Sequence, residues 1–315
     1  MKQELEQLFH ALVNLGERQL SSETEAAILI KNFLQVQGIQ FVTETYSTEI
    51  PRYKEWYLKI DGVNIACLPC GFHSGRITSK STILASTISS QKNLYDANIN
   101  FNPYSSVISR SNFYFAPALA IAAHDVAKVV VGTEIDGYLD VERTAHISEN
   151  ILIGNRTNPR NIIFTHYDSV GPGAIDNASG TTLAIDLFLT HPSLLEEHLF
   201  VIAGNEELSY DETIYWGHGY RDFEVKHRDV LQSTQHIIIL DSLGHTSPLE
   251  ITDLRTMTLA FPIENITTLA HKTIVVAGDL GKLMDFYHAE NDVFENLNHA
   301  LYQETFTTAY RLIMR

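Results

Sequence analysis

Cysteine is scarce: the 315 residues hold two, Cys67 and Cys70. Two thiols cannot build the disulfide framework of a small secreted domain. Their Cys-Leu-Pro-Cys spacing would suit a redox pair, but the surrounding segment shows no thioredoxin-like pattern. Positive charge is scarce too. There are 22 Lys and Arg against 38 Asp and Glu, a net charge of −16. That balance argues against nucleic acid or an anionic membrane surface as a partner. Long apolar runs are missing as well. No stretch approaches the about 18 residues of a membrane-spanning helix, and the opening Met-Lys-Gln-Glu-Leu-Glu carries no apolar leader core. A cytoplasmic protein without a membrane partner is expected. Repeats and low-complexity tracts are also absent.

What the sequence has is a packable composition, 44% hydrophobic and 19% charged, in a chain long enough for one large domain carrying an insertion. Residues 3–37 read as two helices. Leu5, Leu8, Leu12 and Leu15 mark the first, and a cap at residues 21–25 precedes a second with Ala26, Ile28, Leu29, Phe33 and Leu34 apolar. A strand follows from Ile39 to Tyr46. Residues 48–133 change character, being rich in Ser, Asn, Thr and Tyr with short β-like runs, and read as a small β-rich insertion. Strand patterning returns over 135–153. Buried-strand runs then stand at 162–164, 198–204, 235–240 and 273–276, with helix-like segments between them and a closing helix over 293–314. This alternation predicts a three-layer αβα sandwich around a mostly parallel mixed sheet, built from residues 1–47 and 134–315.

The chemistry gathers where these runs end. The run 162–164 delivers His166 and Asp168, which at i and i+2 of a strand share a face. Alone, that pair reads as a hydrogen bond at a strand end. A Gly/Pro loop then brings Asp176 before the helical run 181–188. The second run delivers Glu206 and Glu207, the third Asp241, and His288 follows the fourth. Adjacent carboxylates at the mouth of a buried strand repel one another unless cations or protons offset them. Two imidazoles and several carboxylates at the carboxyl edge of one sheet are the donor chemistry of a two-metal hydrolytic site, with ions about 3.5–4 Å apart.

Five motifs, His166-Tyr-Asp168-Ser, Gly173-Ala-Ile-Asp176-Asn-Ala-Ser-Gly180, Asn205-Glu206-Glu207, Leu240-Asp241-Ser-Leu-Gly244 and Tyr287-His288-Ala-Glu-Asn-Asp292, resemble in order and spacing those of the M28 zinc aminopeptidases. Glutaminyl cyclases are more distant members of that group. The resemblance covers about residues 1–47 and 134–315, and segment 48–133 is similar in placement to a protease-associated insertion. It implies two zinc ions per chain and a peptide substrate. Asp176 would bridge the ions, with His166 and Asp241 completing one and Glu207 and His288 the other. Asp168 would fix the tautomer of His166. Glu206 would be the general base, taking a proton from the metal-bridging water and passing it to the leaving amine. Tyr287 either holds a substrate oxyanion or packs as an aromatic.

The departures lie in pocket-forming regions. Residues 208–220 replace the family's Gly-Leu-x-Gly-Ser stretch, and no Ser-Asp-His element stands between Asp241 and His288. His218, His236 and His245 are expected to pack or face solvent. Three readings follow: a di-zinc aminopeptidase, a single-zinc glutaminyl cyclase, and a non-catalytic relative that has kept the fold. The sequence leaves side-chain preference, metal identity and homo-oligomerisation open.

Overall fold

Runs that are apolar on both faces need cover on both faces, and helical segments between parallel strands supply it. In the computed structural model, residues 2–88 and 94–315 are described. Met1 and residues 89–93, within the expected segments 1–47 and 48–133, lie outside the described residues. The chain begins with α1 (Gln3–Asn14), α2 (Ser21–Val36) and the long β1 (Phe41–Ile60). Short strands follow: β2 (Val63–Asn64), β3 (Cys67–Pro69), β4 (Gly75–Thr78), β5 (Thr82–Ala85), β6 (Asn98–Phe101) and β7 (Ala118–Ile121). Next come α3 (Val126–Val131), β8 (Ile135–Gly154), β9 (Asn161–His166), α4 (Ser179–Thr190), α5 (Leu194–Glu197) and β10 (Leu199–Ala203). The remainder is α6 (His218–Ser233), β11 (His236–Leu240), β12 (Leu249–Ile251), α7 (Leu254–Ala260), α8 (Ile266–Leu269), β13 (Thr273–Ala277), α9 (Leu280–Leu283) and α10 (His299–Ile313). Among the described residues, no helix is long and apolar enough to cross a membrane.

The chain divides into two compact units. The first comprises Met1–Thr48, His146–Lys282 and Asp292–Arg315; the second Glu49–Ala145 and Leu283–Asn291. In the first, the sheet runs β12-β13-β11-β9-β10-β8. The pairs β9/β10, β9/β11 and β11/β13 are parallel, while β8/β10 and β12/β13 are antiparallel. The sheet is therefore mixed, with a parallel centre. Alternate residues serve opposite layers. Ile162, Phe164, Leu199, Val201, Ile237, Ile239 and Val275 join Tyr220, Phe223 and Leu231 of α6 and Met257 of α7 in one core. On the other face α4 packs against β9 and β11, with α1 and α10 beside it. Phe188 of α4 meets Phe200 edge-on at 5.2 Å. These are the three expected layers.

Several boundaries differ from the sequence expectation. Helix α2 buries Glu23, Ala26, Ala27, Ile30 and Leu34, a true i, i+3, i+4, i+7 stripe, and leaves Ile28 46% exposed. Of the apolar residues expected in this helix, Ala26 and Leu34 are buried and Leu29 and Phe33 half-buried. Strand β1 continues through residue 47 to Ile60 because it keeps finding partners, ending in a hairpin with β2 (Ile60↔Val63). The closing helix starts at His299, since the Asn298 side chain accepts from the Ala300 and Leu301 N–H groups and caps it there.

The second unit holds a four-stranded sheet, β3-β7-β6-β5, over a core of Leu58, Ile60, Ile65, Ile77, Ile99, Leu119, Ile121 and Val129. Strand β6 turns Ile99 into that core and Asn98 and Asn100 to its other face. There both are fully buried, and the Asn100 amide donates to Asn98 Oδ1 at 2.9 Å and to Cys70 Sγ at 3.1 Å.

Candidate metal centre

The parallel pairing of β9 with both β10 and β11 fixes the site. It sets Ala203 level with His166 and Ile239 level with Phe164, so all three strands spend their carboxyl ends on one edge. His166 is the last residue of β9. Glu206 and Glu207 come just past β10, after Gly204 and the left-handed Asn205 (φ 46°), a conformation Asn tolerates. Asp241 directly follows β11.

Asp176 arrives on the segment between β9 and α4. The segment leaves helical geometry at Asp176 (φ −116°, ψ 87°) and Asn177 (φ −141°, ψ 43°), which aims the carboxylate at the sheet edge. Asn177 bolts it down. Its amide donates to Leu240 O of β11 at 2.9 Å and to Thr165 Oγ1 of β9 at 3.1 Å, and its Oδ1 accepts from Gly180 N at 3.0 Å.

The donors converge. One ligand atom from each of His166, Asp176 and Glu207 lies within 4.8 Å of the other two. His166 Nε2 is 3.4 Å from Asp176 Oδ1 and 3.8 Å from Asp241 Oδ1. His166, Asp168, Asp176, Glu206 and Glu207 are all buried, while the Asp241 side chain is 20% exposed. A buried imidazole and two buried carboxylates at this separation suit a zinc-like ion. They make a poor structural cluster without one, because the carboxylates repel in a low-dielectric site. Burial alone would lower the His166 imidazole, but hydrogen bonding to Asp168, Asp176 and Asp241 outweighs it and holds the imidazole well above its usual range. Burial pushes the Glu206 carboxyl well up, and Glu207, Asp168 and Asp241 add to that.

Asp168 does more than face the imidazole. Its carboxylate stands 3.5 Å from His166 Nδ1, while its main-chain carbonyl is nearer, at 3.2 Å. The two carboxylate oxygens accept the N–H groups of Glu206 and Glu207, each at 2.9 Å, and Oδ2 also takes Gln19 Nε2 at 3.3 Å. Asp168 therefore ties the β9 loop to the β10 loop. His288 and Tyr287 belong to the second unit. There His288 has φ 51°, and its Nδ1 lies 3.1 Å from Arg110 O. Its ring stacks on Tyr287 at 3.7 Å.

Of the histidines expected to pack or face solvent, His218 holds Asp211 at 2.6 Å in the loop after the Glu pair, where Arg221 joins at 2.7 Å. His245 Nε2 meets Asp279 O at 3.2 Å. Sequence reasoning missed two residues. Arg18 is fully buried against the loop that follows His166, and Asp292, the last residue of the Tyr287–Asp292 motif, accepts from the Ile175 and Asp176 N–H groups. Arg18 lies in a helix-to-helix turn with no motif to mark it. Asp292 sits four residues beyond His288, and that spacing was its one available signal.

No protein-family model matches the sequence, and no curated protein matches it. Solved structures do. The zinc aminopeptidase BSAP from Bacillus subtilis aligns over 98% of this chain and 93% of its own, with TM-score 0.68 at 14% identity. A Peptidase M28 precursor from Shewanella amazonensis aligns over 98% and 92%, with TM-score 0.68 at 16% identity. A glutaminyl cyclase from Porphyromonas gingivalis aligns over 98% and 96%, with TM-score 0.52 at 12% identity. What the chain shares with these proteins is the fold: a mixed sheet between helical layers, the zinc-peptidase-like architecture.

Proposed function

We propose that this chain is an M28-type zinc aminopeptidase that releases N-terminal residues from peptides. The observation that carries the reading is the convergence of His166, Asp176 and Glu207 donors within 4.8 Å at the sheet edge of this fold. In this reading those three side chains and Asp241 would hold zinc. His288 and Tyr287 enter the reading through their sequence motif alone, as metal ligand and substrate contact. Bound zinc supplies a Lewis acid that polarises a carbonyl and brings the pKa of water to about 7. The remaining work falls to the chain. Glu206, fastened beside Glu207 by its N–H to Asp168, takes a proton from the attacking water on a carboxylate oxygen and returns it to the leaving amine. The acidic surroundings favour a substrate's free α-ammonium group over a blocked N-terminus.

The test is a panel of aminoacyl amides and dipeptides incubated with zinc-loaded protein, together with metal analysis. Expected are release of the N-terminal residue, two zinc ions per chain, and loss of turnover in Glu206→Gln with zinc retained. Folded, zinc-loaded protein that cleaves none of the panel would overturn the reading. Cyclisation of N-terminal glutamine is the second reading, favoured by the shared fold with a glutaminyl cyclase. One zinc per chain with turnover of glutaminyl peptides alone would select it.

A further inference from the structure

The segment that joins His166 to Asp176 is gripped from two sides by charged side chains that do not point at the donors themselves. On one side is Arg18, fully buried. Among the described residues its guanidinium forms no ion pair with a carboxylate. It donates instead to main-chain carbonyls: Tyr167 O at 2.5 Å, Pro172 O at 2.6 Å, Gly173 O at 3.0 Å and Leu12 O at 3.3 Å. One group thus spans from the residue after His166 to the residue three before Asp176. On the other side is Asp292, 1% exposed. Its Oδ1 accepts from Ile175 N at 2.8 Å, its Oδ2 from Asp176 N at 3.1 Å, and its carbonyl from Ala174 N at 3.1 Å. Gly173 is the hinge between the two grips. At φ 58° it turns so tightly that an added Cβ would lie 2.4 Å from Ser169 Cβ and 2.5 Å from Asp176 O.

We propose that Arg18 and Asp292 are positioning residues that clamp the Pro172–Asp176 backbone and hold the Asp176 carboxylate ready for a metal ion; the inference rests on the metal-centre reading above. A buried guanidinium and a buried carboxylate are costly to desolvate, and well-packed apolar side chains would stabilise the fold at least as well. What apolar side chains cannot do is fix five main-chain polar groups in one loop. The charges of Asp168, Asp292, Glu207 and Asp176 offset part of the effect of burial on Arg18. It therefore brings a permanent positive charge near an acidic cluster without occupying a donor atom.

The experiment measures zinc affinity by competition with a chromophoric chelator, and the melting temperature of the metal-free protein, for wild type, Asp292→Asn and Arg18→Lys. Asn presents a donor where Asp176 N or Ile175 N needs an acceptor. Lys keeps the charge and loses the fork that spans several carbonyls. A 10- to 100-fold loss of zinc affinity is expected in each folded variant, the size typical of groups that orient metal ligands, roughly. The visible spectrum of the cobalt(II)-loaded variants is expected to change as well. If Asp292→Asn fails to fold, Arg18→Lys carries the test. Zinc affinity equal to wild type in the folded variants, with only a lower melting temperature, would assign both residues a structural role and overturn the clamp. A wild-type chain that binds no zinc would overturn the metal-centre reading itself.

Discussion

Asp168 shows how a single residue links two loops. Its carboxylate accepts the N–H groups of both Glu206 and Glu207. Asp168→Ala leaves those two buried donors unpaired, at about 1–3 kcal/mol each. The melting temperature is expected to fall and zinc affinity to drop roughly 10- to 100-fold; chelator competition on the folded variant reads the second effect, and an unchanged affinity would deny Asp168 its part. Glu206→Gln is isosteric and keeps the loop. It is expected to lower kcat by about 10²–10⁴ with zinc content near wild type, and near-normal turnover would remove Glu206 from the chemistry. At this scale the sequence displayed the polar residues at strand ends, because strand periodicity and a terminating apolar run are local signals. It displayed the pairing of Asp168 with His166 but not its bonds to the Glu206 and Glu207 N–H groups, because no side-chain motif encodes a main-chain donor. Arg18 was hidden for the same reason, since its partners are carbonyls.

Element by element, β9 is the keel. Phe164 meets Phe223 edge-on at 5.0 Å and Tyr220 at 5.7 Å, on the face opposite α4. Phe164→Ala is expected to cost about 3–5 kcal/mol, read as a lower urea midpoint; a loss under about 1 kcal/mol, the level of a well-tolerated swap, would contradict the packing. The start of α4 is equally constrained. A Cβ on Gly180 would lie 2.3 Å from Asn177 Oδ1 and 2.6 Å from Leu240 O, so Gly180→Ala must push α4 off β11. A destabilisation of about 1–3 kcal/mol is expected, with weaker zinc binding because Asn177 anchors the Asp176 loop; wild-type stability would show that the contact relaxes freely. The buried strands were legible because continuous apolar runs have few alternatives in a chain of this length. Helix faces and ends were less so. The buried stripe of α2 is made partly of alanines, which carry a weak hydrophobic signal, and the start of α10 depends on a cap whose geometry appears only in the fold.

For the whole molecule, the sheet's mixed topology followed from the alternation of strand and helix patterns, while the division into units did not. The second unit takes up Leu283–Asn291, a short stretch far along the chain from Glu49–Ala145, and short stretches carry no compositional mark. The two thiols lie in that unit, and burial pushes both Cys67 and Cys70 up to about 12. The native protein is therefore expected to react slowly with a disulfide reagent at pH 8 and to release both thiols rapidly in denaturant; fast labelling of the native form would revive a redox role. The most direct trial of the zinc-peptidase reading is release of the N-terminal amino acid from a dipeptide before chelation, after chelation, and after zinc is restored. Turnover should be present, then lost, then recovered. Hydrolysis that continues undiminished in protein shown to be stripped of metal would contradict it.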